Sequence, residues 1–418
     1  MTSSSLVRQK VALLGAFDRF NYGDLLFPIL VENEIRQRSP DTETSIFSLV
    51  KSDLTRFGAR KTRSLRALYG RGEVRPNDII IFAGGGTIGV DWVYMHQNLL
   101  GRMGNQMLYA FQRLFGDRAA NLMSQWYFGA RAPFPWVASS EDFPVPVNIA
   151  YNAVGGSELA RLPSNVREGT LDRLAKATYL SVRDAETKRQ LISIEDRIAV
   201  ELAPDSAVIM SEQFPLGILK DRASHSVLEQ IGGEPYVCFQ SNLHYARLFE
   251  EKIINKLEAI YEHHGLRALL LPIGRYVGLD DQIGLQSILE RLRTPAAIVT
   301  DQASLWDIML TIAQARLFIG TSLHGNVTSQ SFAVPHIGLS DRLCKLDFYL
   351  NTWDLPEQST CSSLDEIIPR VDKVLAVPEK SRVEKRTELI ACAQKNFSKL
   401  AHACGLTWYG PEPIYNKA

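Results

Sequence analysis

The sequence predicts two doubly wound α/β domains, and three observations carry that prediction. Short apolar runs such as "VALLG" (11–15), "IIIF" (79–82) and "LFIG" (317–320) lack the alternation of a half-exposed strand. They fit parallel sheets covered on both faces. Between them lie segments whose apolar residues recur at helical spacing, as with Leu25, Leu26, Ile29, Leu30 and Ile35. The length, 418 residues, suits two ordinary domains.

Taken in order, Val11 to Gly15 is the first strand, followed by the loop "AFDRFNYGD" and a helix with Asp24 placed as its N-cap. "SIFSLV" and "NDIIIFAGGG" follow as strands, then "VNIAYNAVGG", "YLSVRD" and the short "AVELAP". A helix is expected over Ala185 to Ile192. The second series has strands at "PYVCFQSN", "LRALLLPIG", Leu317 to Ile319 and "PHIGLS". Its helices are expected near 247–263, 281–292, 305–315 and 327–333. The expected division is 1–215 for the first domain, 216–376 for the second, and 377–418 for a helix and tail that pack back across both. One stretch breaks the rhythm. Residues 91–143, rich in Trp, Tyr, Phe and Met, read as an insertion that forms a lid, a substrate platform or an interface.

Composition narrows the partners. Lys plus Arg and Asp plus Glu both total 46, so no global charge favours nucleic acid. The five cysteines include no C-x-x-C pair, which suggests neither a disulfide framework nor a zinc site. No apolar stretch has the length of a membrane span, and the start lacks the pattern of a signal peptide. A cytoplasmic protein is expected.

Ligands of parallel α/β sheets bind beyond the carboxyl ends of the strands. The loops there offer Asn21, Gly23 and Asp24; Gly84, Gly85, Gly86 and Thr87; and Arg183 with Asp184 in the first domain. The second offers Asn242 and His244, Gly274 and Arg275, Ser322 and His324, and Asp341 and Lys345. "AGGGTIG" would bring backbone N–H groups to an anion, or would simply turn tightly. Arg183 would hold a carboxylate or phosphate, or pair with a neighbouring acid. Ser322 can cap a helix whose first turn holds His324. The positive end of that helix favours a neutral imidazole able to accept a hydroxyl proton, and the alternative is a packed structural histidine. No cluster has metal-ligand spacing, so metal-independent chemistry is expected.

In order, "NYGD", "IFAGGG", "SVRD", "APDSA", "LLPIG" with Asp280-Asp281, "GTSLHGN" and "DRLCK" resemble the polysaccharide pyruvyl transferase family, over about Val11 to Phe348. The resemblance implies a fold of glycosyltransferase-B type with its site between the domains. It implies transfer of the enolpyruvyl group of phosphoenolpyruvate to a sugar diol, giving a pyruvate ketal and phosphate, with no cofactor. Arg183 and Lys345 match the family's basic positions and His324 its histidine, here the expected acid/base. Amides at 322–325 would add an anion site, and Arg275 would help. Asp24 would bind acceptor hydroxyls or act as a second base, unless it is only a helix cap. Many members carry Arg two residues before the histidine, where this chain has Ser322. Lys345, Arg275 or Arg342 would then have to supply the charge.

The expected acceptor is a surface polysaccharide or its precursor, lipid-linked or nucleotide-linked. The aromatic insertion would shape its site and rest on the inner face of a membrane. A nucleotide-sugar glycosyltransferase and a non-catalytic assembly partner are the rival functions.

Overall fold

The computed structural model describes residues 9–275, 280–342 and 344–410. Both chain ends, the segment 276–279 and Leu343 lie outside the described residues. The first sheet has seven parallel strands in the order β3-β2-β1-β4-β5-β6-β7. These are β1 (Lys10–Leu14), β2 (Glu43–Ser48), β3 (Arg63–Ser64), β4 (Ile79–Phe82), β5 (Asn148–Val154), β6 (Tyr179–Val182) and β7 (Val200–Leu202). The second sheet has five, in the order β10-β9-β8-β11-β12 and again all parallel. They are β8 (Tyr236–Gln240), β9 (Arg267–Leu270), β10 (Ala296–Ile298), β11 (Leu317–Gly320) and β12 (His336–Gly338).

The apolar runs are strands because helices cover both faces. Val11 and Leu13 belong to one apolar cluster and Ala12 and Leu14 to another, so neither side of β1 meets water. The strands not foreseen from sequence, β3 and β10, each lie at one edge of their sheet. Two or three residues long and partly exposed, they carry no periodic signal.

Each sheet reverses its strand order once. In the first the reversal lies between β1 and β4, in the second between β8 and β11. Such switch points open a crevice at the carboxyl ends of the strands. Here backbone hydrogen bonds join the two crevices. Tyr22 N–H donates to the Ile273 carbonyl (3.2 Å) and Arg275 N–H to the Phe20 carbonyl (3.1 Å), around an antiparallel bridge between Asn21 and Gly274.

The insertion is helical, with Trp92–Gln97 followed by Arg102–Phe128. The second helix breaks at Gly116, whose φ of 83° and ψ of 166° are open to glycine and strained for other residues. The tail forms helix Glu379–Ala403. Asn396 accepts from the Tyr179 hydroxyl (2.7 Å) and donates to Asn152 (2.7 Å), both in the first sheet. Near its start Arg382 donates to the Ala333 carbonyl (2.9 Å), beside the second sheet.

Two helix starts differ from expectation. Asp24 is not a cap: Asn21 holds the N-cap position of helix Tyr22–Arg38, and Asp24 sits in the first turn, accepting from the Asn21 side-chain amide at 2.8 Å. Ser322 caps helix Leu323–Ser331 as expected, accepting from the Gly325 N–H at 3.2 Å with His324 in the first turn, so the helix starts four residues before Val327.

Candidate active site

The facing crevices enclose a cleft of about 270 Å³. From the first sheet, the loop after β1 contributes Arg19, Asn21 and Asp24, the loop after β4 contributes Gly84 to Thr87, and the end of β6 contributes Arg183. The second sheet contributes Gln240, Asn242, Asp281, Ser322, His324 and Lys345.

Arg183 follows β6 directly and is 2 % exposed. Its partner is not Asp184, which caps helix Ala185–Gln190 by accepting from Thr187 N–H at 2.7 Å. Instead Arg183 Nη1 donates to Asp205 Oδ2 at 3.0 Å. The same carboxylate oxygen lies 3.6 Å from His324 Nε2, longer than a hydrogen bond. Burial alone would push the Asp205 carboxyl up. His324 and Arg183 outweigh it and hold the group below the ordinary value. Asp205 thus connects a cation of one domain to the histidine of the other.

The His324 ring is fixed on three sides. Nε2 faces Asp205, the ring meets Phe27 edge-on with centroids 5.3 Å apart, and Nδ1 lies against Gly23. A methyl group on Gly23 would come within 1.8 Å of Nδ1. The helix start is therefore not the only field at His324, because the Asp205 carboxylate faces Nε2.

Lys345 opens helix Lys345–Trp353, which is docked on the Arg183 loop. Trp353 Nε1 donates to the Arg183 carbonyl at 2.8 Å, and Ala185 N–H donates to Thr352 Oγ1 at 3.1 Å. The side chain is open to cleft solvent but enclosed by the cleft walls. That desolvation, with the nearby Arg183 charge, holds its amine below the usual lysine value.

The glycine loop turns on Gly84 (φ 105°) and Gly85 (φ 88°), and a side chain at Gly84 would strike Phe27 at 2.6 Å. The loop is pinned to β5: Gly155 N–H donates to the Gly85 carbonyl at 2.8 Å, and the Thr87 and Ile88 N–H groups share the Gly155 carbonyl. Gly84, Gly85 and Gly86 line the cleft.

Several expectations need correction. The 322–325 amides are partly occupied: Ser322 N–H donates to Gln240 Oε1 at 2.9 Å and Gly325 N–H to the Ser322 hydroxyl. Arg275 is not among the cleft-lining residues. Its guanidinium lies 4.0 Å from the centre of the Phe20 ring and donates to the Ala303 carbonyl at 2.8 Å. Burial lowers its pKa to about 10. His244 points away on an exposed helix position, and Asp341 and Arg342 are exposed outside the cleft.

Sequence reasoning missed Arg19, Asp205, Gln240 and Asp281 as parts of the site. Arg19, 7 % exposed, brings a third cation to the cleft wall. Asp281 is 1 % exposed. Its Oδ2 accepts from Gln240 Nε2 (3.1 Å) and from the Ile273 (3.2 Å) and Gly274 (3.1 Å) N–H groups. Its Oδ1 has no hydrogen-bond partner among the described residues. Burial dominates those hydrogen bonds and pushes the carboxyl up to about 7. The available signal was the place of "APDSA" just beyond β7 and of Asp281 at the start of helix Asp281–Arg291.

Outside the cleft, Cys344, Asp347 and Cys361 come together, with one ligand atom of each within 4.8 Å of the others. The sequence spacing did not suggest this cluster. Both Asp347 oxygens already hold backbone: Oδ2 accepts from Cys344 N–H and Oδ1 from Cys361 N–H.

The fold is that of the two-domain, glycosyltransferase-B-like enzymes. UDP-GlcNAc 2-epimerase from Neisseria meningitidis is similar, with a TM-score of 0.51 at 11 % identity, covering 94 % of this chain and 99 % of that one. The S. aureus MnaA–UDP co-structure gives a TM-score of 0.54 at 10 % identity, over 95 % and 97 % of the chains. Comparison with curated protein sequences gave no match. A family model described as polysaccharide pyruvyl transferase matches residues 21–341. The chain belongs to the polysaccharide pyruvyl transferase family.

Proposed function

We propose that the protein transfers the enolpyruvyl group of phosphoenolpyruvate to a sugar diol of a surface polysaccharide or its precursor, forming a pyruvate ketal. The observation that carries this reading is the Arg183–Asp205–His324 series, with Lys345 on the same cleft. Phosphoenolpyruvate carries a carboxylate and a phosphate. Arg183, Lys345 and Arg19, the last ion-paired with Asp18 at 3.2 Å, are three cations on the cleft suited to holding them. The glycine-loop amides add backbone donors.

The proton balance suits a single shuttling group. Two acceptor hydroxyls each lose a proton, the methylene carbon of the donor gains one, and the departing phosphate takes the other. His324 accepts a hydroxyl proton and returns it to the methylene carbon. Asp205 stabilises the imidazolium between those events. Asp24 and Asn21, hydrogen-bonded to each other at the cleft wall, bind acceptor hydroxyls. The scheme requires no metal ion, and turnover should persist in a chelator.

The test combines purified protein, phosphoenolpyruvate and a panel of sugar diols, following phosphate release and the acceptor's gain of a pyruvate ketal by mass. His324→Ala should lose roughly 100-fold or more in turnover. Lys345→Met should act mainly on the KM for the donor. Undiminished turnover in His324→Ala would remove that residue from the mechanism. Binding of a nucleotide sugar, without binding of phosphoenolpyruvate, would favour glycosyl transfer instead.

A further inference from the structure

The insertion presents apolar surface that the fold does not bury. In the first arm of helix Arg102–Phe128, Met103 (79 % exposed), Met107 (74 %) and Leu114 (77 %) lie along one stripe at helical spacing. The opposite side of that arm is held down by Leu108, which packs with Val93 and Ala120. After the break at Gly116, Leu122 (56 %) and Trp126 (79 %) continue a stripe on the second arm, four residues apart. Their opposite side, Ala120, Ser124 and Phe128, is buried. Each arm is therefore amphipathic, with its apolar edge turned outward.

The charge along this element has one dominant sign. Arg102, Arg113 and Arg118 are exposed against a single acid, Asp117. Arg113 and Arg118 flank the exposed turn of Leu114 and Phe115. Apolar stripes bordered by arginine, with a tryptophan at the margin, are the signature of a helix lying in a bilayer interface. Among the described residues no helix is long and apolar enough to cross a membrane.

We propose that the bent helix 102–128 seats the protein on the surface of a membrane containing anionic lipid. The consequence for the cleft, which rests on the ketal-transfer reading, is geometric. Helix Trp92–Gln97 packs against the bent helix, with Trp92 stacked on Phe128 at 5.8 Å. The same short helix places Tyr94 and Met95 in the cleft wall. A saccharide anchored in the bilayer by a lipid would thus be presented beside the cleft mouth.

The test is flotation of the full chain with phosphatidylcholine vesicles, with and without roughly a third phosphatidylglycerol. Wild-type protein should float with the anionic vesicles, and raised salt should weaken that binding. The double variants Leu114→Glu/Phe115→Glu and Leu122→Glu/Trp126→Glu should each reduce it about tenfold or more while keeping the wild-type melting temperature. Absence of vesicle binding by the wild type would overturn the proposal. So would a wild-type dimer that the same variants convert to monomer, since the stripes would then be a self-association face. Vesicle binding is measured without substrate, so its outcome is independent of the donor and product assigned above. The variants' turnover on a water-soluble acceptor should match wild type.

Discussion

Gly23 and His324 are a matched pair across the domain boundary: the space a methyl group would need at residue 23 is filled by the imidazole, 1.8 Å away. Gly23→Ala should therefore displace the ring without removing any catalytic atom. Turnover should fall at least about tenfold, because small misplacements at a reacting centre are costly. Steady-state kinetics beside a thermal melt would check this; unchanged turnover would show that the ring has room to move.

Asp205 holds a buried guanidinium, so its loss should be felt in stability first. Asp205→Asn leaves Arg183 buried with its charge unpaired, at a cost of about 3–5 kcal/mol. The wild-type carboxyl is held below its ordinary value, so its contribution is complete above about pH 4 and lost as pH falls further. Urea melts at neutral and acid pH should show the variant's deficit shrinking as the solution is acidified.

Asp281 has the opposite sign. Its carboxyl, pushed up to about 7 by burial, favours folding below the unfolded value of about 4. That contribution is lost progressively as pH rises toward 7. Asp281→Asn keeps an oxygen for the Ile273 and Gly274 N–H groups and removes the ionisation. The variant should gain on wild type between about pH 4 and 7 and hold a constant advantage above. A difference that stays flat across this range would contradict the buried, proton-retaining carboxyl.

Cys344 should be the most reactive thiol. Hydrogen bonding from Cys361 leads the groups that lower its pKa to about 6, whereas Cys238, Cys392 and Cys404 are raised by burial. Iodoacetamide at pH 7 should label Cys344 before those three, as read by peptide mass mapping. Because Cys344 immediately precedes Lys345, the label should also raise the KM for the donor.

The sheets were legible because buried parallel strands leave unbroken apolar runs, and the loops that line the cleft follow from strand ends. His324, Arg183 and Lys345 meet in one cleft because all three occupy such loops. Direction was less legible than position. Arg275 also follows a strand, but Phe20 and Phe57 draw its guanidinium away from the cleft. His244 lies beyond β8 on an outward turn of its helix. Asp205 and Asp281 escaped notice for a different reason. Their importance comes from burial and from partners such as His324 for Asp205 and Gln240 for Asp281, distant in sequence, and neither is written in local spacing.

The backbone bridge at Asn21 and Gly274 bears on how molecules enter and leave. A wide hinge opening between the domains would break that bridge and its neighbouring hydrogen bonds on one side. It would also strain the tail helix, tied to Tyr179 and Asn152 at one point and to Ala333 at another. Of the aromatic side chains lining the cleft among the described residues, only Tyr94 is exposed (52 %), while Phe17, Phe27 and Trp136 are buried, so substrate and product should pass beside Tyr94 if the bridge stays closed.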